Sequence, residues 1–429
     1  MPTLTAATAA KLPAGTWWRI VAPFAAGYFI SYVYRTINAV IAPELGQAFA
    51  LDANDLGLLT SVYFLSFALF QIPLGLLLDR YGARRVQALL LLMATTGALV
   101  FAFSSGREGL IAGRALIGLG VSACLMASFK AFTSWFPRER LAMVNGIVLS
   151  AGGLGALCAT APVETALHFV GWRWVFISLS GATLLIAAMT WLVVPERAET
   201  HAQETWRSQV QGLGGIFASR RFWRVSPLAL TQAIFLSIHG LWSGPWLTDV
   251  AGLTRADAAH HLSLTAIAMI CGYYSVGALA TRLSRSGVKP IVVAKIGLLF
   301  FLLVQVALTA GYSGATVPLW IAFGFFGTTA SLSYAVLAQE FAPSLAGRLN
   351  TAMNLLVFVA AFALQWALGA ILDLWPADGG YPLVAYHAAF GLTLTLQTIA
   401  FIWLIWPARS PSIPGTMTPE SKPVMPRAD

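Results

Sequence analysis

Residues 73–86, PLGLLLDRYGARRV, join a long apolar run to a short charged turn. Gly75 would let a neighbouring helix approach closely, and Gly82 permits the tight turn that reverses the chain. Asp79 is placed to interact with the positive end of a neighbouring helix or with an arginine. The stretch therefore predicts two apolar helices joined by a charged turn at the edge of a membrane.

The composition supports a membrane protein. Of 429 residues, 58% are hydrophobic and only 10% are charged, whereas a soluble domain carries about a quarter charged residues. A soluble core could not hide this much apolar surface, so the surplus must face lipid. The three cysteines have no metal-binding or disulfide spacing. No P-loop, HExxH or GxSxG pattern is present, which argues against direct ATP drive and against an enzyme.

Hydropathy predicts twelve membrane-spanning helices, because a span needs about 20 apolar residues. The segments are approximately 17–42, 57–78, 86–104, 109–133, 142–166, 173–194, 225–247, 258–281, 290–310, 317–338, 349–372 and 385–406. The fold class is therefore an all-α membrane protein with two six-helix bundles. The predicted parts are a cytoplasmic amino-terminal segment (1–16), a first bundle (17–195), a cytoplasmic central loop (196–224), a second bundle (225–406) and a disordered cytoplasmic tail (407–429).

Basic residues set the predicted orientation. If the amino terminus is cytoplasmic, most of the 26 Lys and Arg residues fall on cytoplasmic segments, as the positive-inside rule requires. Both termini are then inside, and a multi-pass protein of the plasma membrane, in bacteria the inner membrane, is expected.

The two bundles share sequence patterns. GLLLDRYGARR (75–85), after span two, has a weaker counterpart in GALATRLSRSG (277–287), after span eight. FPRERLAMVNG (136–146) has a counterpart in FAPSLAGRLNTAMN (341–354). Two repeats of six helices, with pseudo-symmetry between the bundles, are typical of transporters.

The charged turn, with RALIGLG (114–120), SWFPRER (134–140) and GWRWVF (171–176), resembles the signature motifs of the major facilitator superfamily. The resemblance implies a transporter that works by alternating access. It also implies a cytoplasmic latch between the two halves that favours the outward-open state. The residues that match this latch are Gly75, Asp79, Arg80, Gly82 and Arg84.

SYVYRTINAVIAPEL (31–45) and the span-four sequence are most similar to the anion:cation symporter branch of that superfamily. Many members carry Asp-Arg in the first span, where this chain has Tyr34-Arg35, and members that handle sugar acids often carry a Glu at the position of Val121. The arginine is kept and both carboxylates are missing. The resemblance implies an organic anion as the substrate.

Arg35 is the leading candidate for substrate binding. An arginine within a span is costly unless it faces protein or water. Arg35 shares a predicted helical face with Tyr28, Ser31 and Tyr32, at spacings of seven, four and three residues. That face is polar, aromatic and cationic, and it suits a carboxylate on an organic body.

Further candidates for the substrate site lie in other spans, where each could equally serve helix packing. In span seven, glycines and a proline interrupt the helix near the candidate residues. His239 is also the candidate for carrying a coupling proton, although a satisfied core histidine remains an alternative. The further candidates are Arg114, Gln232, His239, Trp242 and Asn354.

The sequence therefore predicts a secondary transporter of a small organic solute, with an anion as the expected substrate. Proton-driven export of drugs or other lipophilic compounds is the alternative, but the Gly-Pro pair usual in span five of such exporters is absent. A non-transporting receptor of the same fold also stays open. No cofactor is expected, and an ion gradient would supply the energy, with protons as the candidate ion. The expected partners are the substrate and the lipid bilayer, with no nucleic acid, and the chain is expected to be a monomer.

Overall fold

The computed structural model describes residues 16–136, 138–196, 206–341, 346–376 and 379–406. Within these ranges the regular structure is helical and contains no strand. The amino-terminal half contains α1 (Thr16–Thr36), α2 (Asn38–Phe49), α3 (Ala53–Ala102), α4 (Arg107–Val121), α5 (Cys124–Trp135), α6 (Arg138–Cys158) and α7 (Ala161–Val193). Two helices follow in the connection, α8 (Trp206–Phe217) and α9 (Arg220–Val225).

The carboxy-terminal half combines helices with two irregular turns. Its elements are α10 (Pro227–Ser237), a π-turn (Ile238–Trp242), α11 (Ser243–Asp249), α12 (Arg255–Arg285), α13 (Pro290–Thr309), α14 (Thr316–Gly327), a 3₁₀ turn (Thr328–Ser331), α15 (Leu332–Glu340), α16 (Ala346–Leu372) and α17 (Leu383–Ile405).

The predicted all-helical membrane fold is confirmed. Within the described ranges, nine helices are long and apolar enough to cross a membrane, with α3 counted as two. The other three predicted spans are the pair α1–α2, helix α6 and the pair α10–α11. Both pairs are interrupted near their middle. The predicted tail and the amino-terminal segment up to residue 15 lie outside the described residues.

Gly82 makes the turn inside α3 that the sequence predicts. Its φ angle of +78° lies in the left-handed region that a residue with a side chain avoids. The chain therefore reverses here, and α3 provides spans two and three. Gly171 has a φ angle of +69° and breaks α7 in the same way.

Four spans are interrupted near their centre, at related places in the two halves. The regular helix is interrupted at Ile37 in span one and at Ser122–Ala123 in span four, where the residues keep right-handed helical backbone angles. Spans seven and ten contain the π-turn and the 3₁₀ turn. Irregular backbone at membrane depth is tolerated only inside protein or beside a cavity, and π-turns often mark functional sites. The four breaks therefore point to the centre of the molecule as the site.

Tight contacts join the two halves at one end of the bundle, here called the sealed end, where α3 begins and α16 ends. A Cβ atom on Gly369 would lie only 2.3 Å from the backbone oxygen of Ala53. On Gly244, a Cβ atom would lie 2.4 Å from the backbone oxygen of Ala39. Small residues thus allow helices of opposite halves to touch through their backbones.

Asp373 adds polar contacts between the halves at the sealed end. Its Oδ1 accepts a hydrogen bond from the Ala53 N–H at 2.8 Å, and its Oδ2 accepts one from the Asn54 N–H at 2.5 Å. The Tyr381 hydroxyl donates to Asp373 Oδ1 at 2.9 Å. The first N–H groups of a helix lack partners within it and carry a partial positive charge. A carboxylate of one half thus caps a helix of the other half.

Candidate functional site

Arg35 lies in the last turn of α1, directly before the break at Ile37. Its side chain is buried, and its Nε has no hydrogen-bond partner in the described part of the chain. The guanidinium carbon lies 4.6 Å from the centre of the Tyr32 ring, 5.3 Å from Phe358 and 5.4 Å from Phe67. Arg35 is therefore held by aromatic faces from both halves, since Phe67 lies on α3 and Phe358 on α16.

The rings around Arg35 form one group, here called the aromatic cluster. Tyr28 and Tyr32 pack edge to face at 5.0 Å, and Phe67 meets Phe358 at 4.3 Å across the two halves. The phenols of Tyr273 and Tyr334 interact electrostatically with Tyr32 and Arg35. The cluster thus consists of Tyr28, Tyr32, Phe67, Tyr273, Tyr334 and Phe358.

Two neighbours shape the cluster. The Tyr334 hydroxyl donates a hydrogen bond to Asn354 Oδ1, which joins this predicted site residue to the cluster. A Cβ atom on Gly152 would lie 2.5 Å from the Tyr28 ring, so α6 can approach Tyr28 only because residue 152 is glycine.

Sequence reasoning did not identify four members of the cluster, namely Phe67, Tyr273, Tyr334 and Phe358. Each lies in an apolar span, where an aromatic residue at the lipid surface has the same sequence signal. Helix periodicity groups residues only within one helix, so it found the face of α1 alone.

Arg114, the second arginine predicted for the site, lies inside the amino-terminal half. Its side chain is fully buried, and Nη1 donates to the backbone oxygen of Tyr34 at 2.9 Å. Its guanidinium carbon lies 4.9 Å from the centre of the Tyr63 ring. Tyr63 also interacts with Arg35, so Arg114 is one layer behind the cluster.

The span-seven candidates surround the π-turn. The His239 ring stacks on Phe235 at 5.6 Å with an angle of 8° between the planes. Phe235 in turn packs on Phe301 and Phe323 in the core of the carboxy-terminal half. It is the backbone of the next residue, Gly240, that faces α1. The described contacts thus join His239 to the carboxy-terminal core and not to the aromatic cluster.

Several buried polar atoms near the interrupted spans have no hydrogen-bond partner among the residues that the structure describes. Buried polar atoms usually find partners, so such atoms point to a ligand or to water. These atoms include Ser31 Oγ, Arg35 Nε, Asn38 Oδ1, Nε and Nη2 of Arg114, Gln232 Oε1, both ring nitrogens of His239, Trp242 Nε1 and Ser333 Oγ. In the part of the chain that the structure describes, no group of three or more His, Cys, Asp and Glu residues is placed to hold a metal ion.

The described latch residues contact their own half. Arg84 Nε donates to the backbone oxygen of Trp191 at 2.8 Å, and Arg84 lies 3.8 Å from Glu196. Arg85 also pairs with Glu196. Arg80 is exposed beside Tyr81, and Gly75 lies within α3. The Asp79 side chain lies outside the described residues.

Comparison with known proteins gives the family. Residues 24–365 match the model of the Major Facilitator Superfamily. The chain is 29% identical over 191 residues to the uncharacterized transporter YybO of Bacillus subtilis, and this match covers 44% of each protein. This chain therefore spans less than half the length of that relative.

Two further relatives match over longer stretches. The probable sulfoacetate transporter SauU of Cupriavidus necator is 24% identical, with 76% of this chain and 81% of that protein covered. The D-galactonate transporter of Escherichia coli O6:H1 is 22% identical, with 87% and 92% covered.

Solved structures show the same fold. A bacterial homologue of the human lysosomal transporter Spinster, in an inward-facing and unoccupied conformation, superimposes with a TM-score of 0.73 at 18% identity. The match covers 91% of this chain and 96% of that one. With the family model matching residues 24–365 and the fold shared with this structure, the chain belongs to the major facilitator superfamily.

Proposed function

We propose that the protein is a secondary transporter that carries a small organic anion across the membrane by alternating access. The observation that carries this proposal is Arg35, a permanently charged side chain buried at the junction of the two halves. Relatives named for sulfoacetate and D-galactonate, both organic anions, support the same class of substrate.

The energetics favour an anion at Arg35. Burying an unpaired charge costs several kcal/mol, and aromatic faces return only about 0.5–2 kcal/mol per contact. A carboxylate that pairs with the guanidinium through two hydrogen bonds would supply the missing charge. The site is then most stable when an anion occupies it.

Alternating access requires the halves to part at one end while they meet at the other. The contacts of Asp373 with Ala53 and Asn54 hold the sealed end together. Burial raises the pKa of the Tyr381 phenol, and the adjacent Asp373 carboxylate raises it further. Tyr381 therefore keeps the proton that it donates. Opening the sealed end would break this set of contacts.

The turn at 79–85 would act at the opposite end. We propose that Gly75, Asp79, Arg80, Gly82 and Arg84 form a latch that engages the other half when the sealed end opens. In the present state Arg84 donates to Trp191 of its own half and lies beside Glu196 at the start of the central loop, which fits a released latch. Asp79→Asn should then shift the protein toward the state described here, without loss of insertion.

We propose that both termini lie in the cytoplasm, and the distribution of Lys and Arg supports this orientation. The proposed location is the bacterial inner membrane, and the chain is proposed to act as a monomer. Thiols introduced at Arg107 and Thr254 should be labelled from outside the cell, and a thiol at Arg221 should not. Because Cys158 and Cys271 are exposed, the test needs a cysteine-free background. Strong outside labelling at 221 would reverse the orientation.

Uptake into proteoliposomes tests the function. Ligands that bind the folded state raise its thermal stability, so a panel of organic anions is first screened by that shift. Uptake of the best anion is then compared between wild type, Arg35→Ala and Arg35→Lys. Arg19→Ala, an exposed arginine on the same helix, is the matched control.

We expect Arg35→Ala to lose uptake and Arg35→Lys to retain a fraction, because lysine keeps the charge without the planar fork. Arg19→Ala should transport as the wild type does. If Arg35→Ala carries an organic anion as well as the wild type, the anion site fails and drug export becomes the better account.

A further inference from the structure

The aromatic cluster is more extensive than the binding of a carboxylate alone requires. We propose that the transported anion is an aromatic monocarboxylate, similar to benzoate or phenylacetate. Its carboxylate would pair with Arg35, and its ring would lie between rings of both halves. This inference rests on the proposed function and names the substrate class of the same site.

The charge of the site fits one negative group. Among the described residues, Arg35 is the cation within the cluster, because Arg114 lies behind Tyr63 and is hydrogen-bonded to the backbone of Tyr34. His239 stacks on Phe235 in the carboxy-terminal core. A second carboxylate on the substrate would be buried without a cation, and such burial is unfavourable.

The two rings that meet between the halves, Phe67 and Phe358, suit an apolar part of the substrate, and the hydroxyl groups of the cluster belong to its four tyrosines. Phe67 and Phe358, which lie against Arg35, offer no hydrogen-bonding atoms. The Tyr334 hydroxyl is already engaged with Asn354. A hydroxyl group of a sugar acid that lay between these two phenylalanine rings would be buried without a partner, which reduces affinity. A planar ring has no such need and stacks favourably on other rings.

The position of the rings links binding to movement of the halves. Phe67 and Phe358 lie 4.3 Å apart and belong to opposite halves. A substrate ring that enters here would replace their direct contact with two contacts to itself. The substrate would then bridge the halves when it is bound, and its departure would restore the direct contact.

A panel of four acids at neutral pH tests the proposal by thermal shift and by competition with labelled benzoate uptake. Benzoate is the aromatic monoanion and cyclohexanecarboxylate its non-aromatic match. Gluconate is the polyhydroxy monoanion and phthalate the aromatic dianion. We expect benzoate to bind at least tenfold more tightly than gluconate or phthalate, and severalfold more tightly than cyclohexanecarboxylate.

A ring deletion in the cluster makes the test specific. Phe358→Leu should weaken benzoate about tenfold and change cyclohexanecarboxylate less than twofold, because only the aromatic contact is lost. Phe326→Leu is the control, since Phe326 stacks on Phe300 outside the cluster. If Phe358→Leu does not fold, Tyr32→Leu tests the same prediction.

The outcomes separate this inference from the proposed function. Gluconate binding as tightly as benzoate, or Phe358→Leu weakening both monoanions equally, would overturn the aromatic substrate and leave anion transport intact. If no organic anion of a wider panel is bound or carried, the proposed function itself fails.

Discussion

Arg35 and Arg114 are two buried arginines with similar surroundings and different positions. Each lies in a span of the amino-terminal half, and each has a tyrosine ring within 5 Å of its guanidinium carbon, Tyr32 for Arg35 and Tyr63 for Arg114. Arg114 donates to the Tyr34 backbone within that half. Arg35 instead contacts Phe358 of the other half. Nε of Arg35 and both Nε and Nη2 of Arg114 lack a hydrogen-bond partner among the described residues, so the two arginines differ in position and not in the satisfaction of their donors.

The difference teaches that the burial of a charge does not by itself identify a binding group. A charge inside one rigid half has the same neighbours throughout a transport cycle. A charge at the junction changes neighbours when the halves move, so it can bind a ligand and release it. We infer that Arg35 binds the substrate and that Arg114 is a positioning residue, which holds α1 and Tyr63 in place.

Methionine at each position tests this difference with the largest expected effect. Arg35→Met removes the charge and keeps an extended apolar side chain, so we expect uptake of the organic anion to fall at least a hundredfold. Removing an unpaired buried charge also lowers its desolvation cost, so the melting temperature should stay equal or rise. Proteoliposome uptake and thermal unfolding measure the two results.

Arg114→Met is the matched variant and should behave differently. The Tyr34 carbonyl loses one donor, and Tyr63 loses its cation, so we expect uptake to fall by less than about tenfold. Substrate affinity should change little, because the group removed does not touch the cluster. If Arg114→Met abolishes binding while Arg35→Met spares it, the roles of the two arginines are reversed.

The sequence predicted the features of this comparison that depend on one helix. Charge, hydropathy and motifs predicted the spans, the family and the turn at Gly82, because these are local patterns along the chain. The face of α1 with Tyr28, Tyr32 and Arg35 follows from helix periodicity.

Features that depend on two helices or on both halves were not predictable in this way. Periodicity does not show whether Arg114 faces Tyr63 or the junction, since either orientation keeps α4 intact. The partners Phe67 and Phe358 are brought together by packing between α3 and α16. Asp373 has the sequence signal of an ordinary loop acid, and only the fold places it at the start of α3.

The contact between the two halves at the sealed end can be tested at Asp373, with a moderate expected effect. Asp373→Asn keeps the shape and weakens the cap, because a charged acceptor at a helix start is stronger than a neutral one. We expect the population with an open sealed end to increase up to about tenfold, which corresponds to about 1.4 kcal/mol.

Spin labels at exposed positions would measure that opening. Phe169 and Leu374 are exposed and lie on opposite halves at the sealed end, so their distance distribution should gain a longer component. Phe103 and Phe169 lie within one half and provide the control pair, with no expected change. A change in both pairs would show that the half itself deforms, and would remove the contrast between a rigid half and a moving junction.

His239 provides the smallest expected effect and extends the comparison to the other half. Its ring stacks on Phe235 within the carboxy-terminal core, so, like Arg114, it lies inside one half. We expect His239→Gln to change the uptake rate less than about threefold and to keep the pH dependence of uptake, because a residue outside the junction does not exchange neighbours during the cycle.

The matched control is His261→Gln, since His261 is hydrogen-bonded to the Asp257 backbone and to Thr316. Loss of the pH dependence in His239→Gln, with His261→Gln unchanged, would show that His239 carries the coupling proton. A group deep in one half would then take part in the cycle, and the distinction drawn between Arg35 and Arg114 would not extend to the carboxy-terminal half.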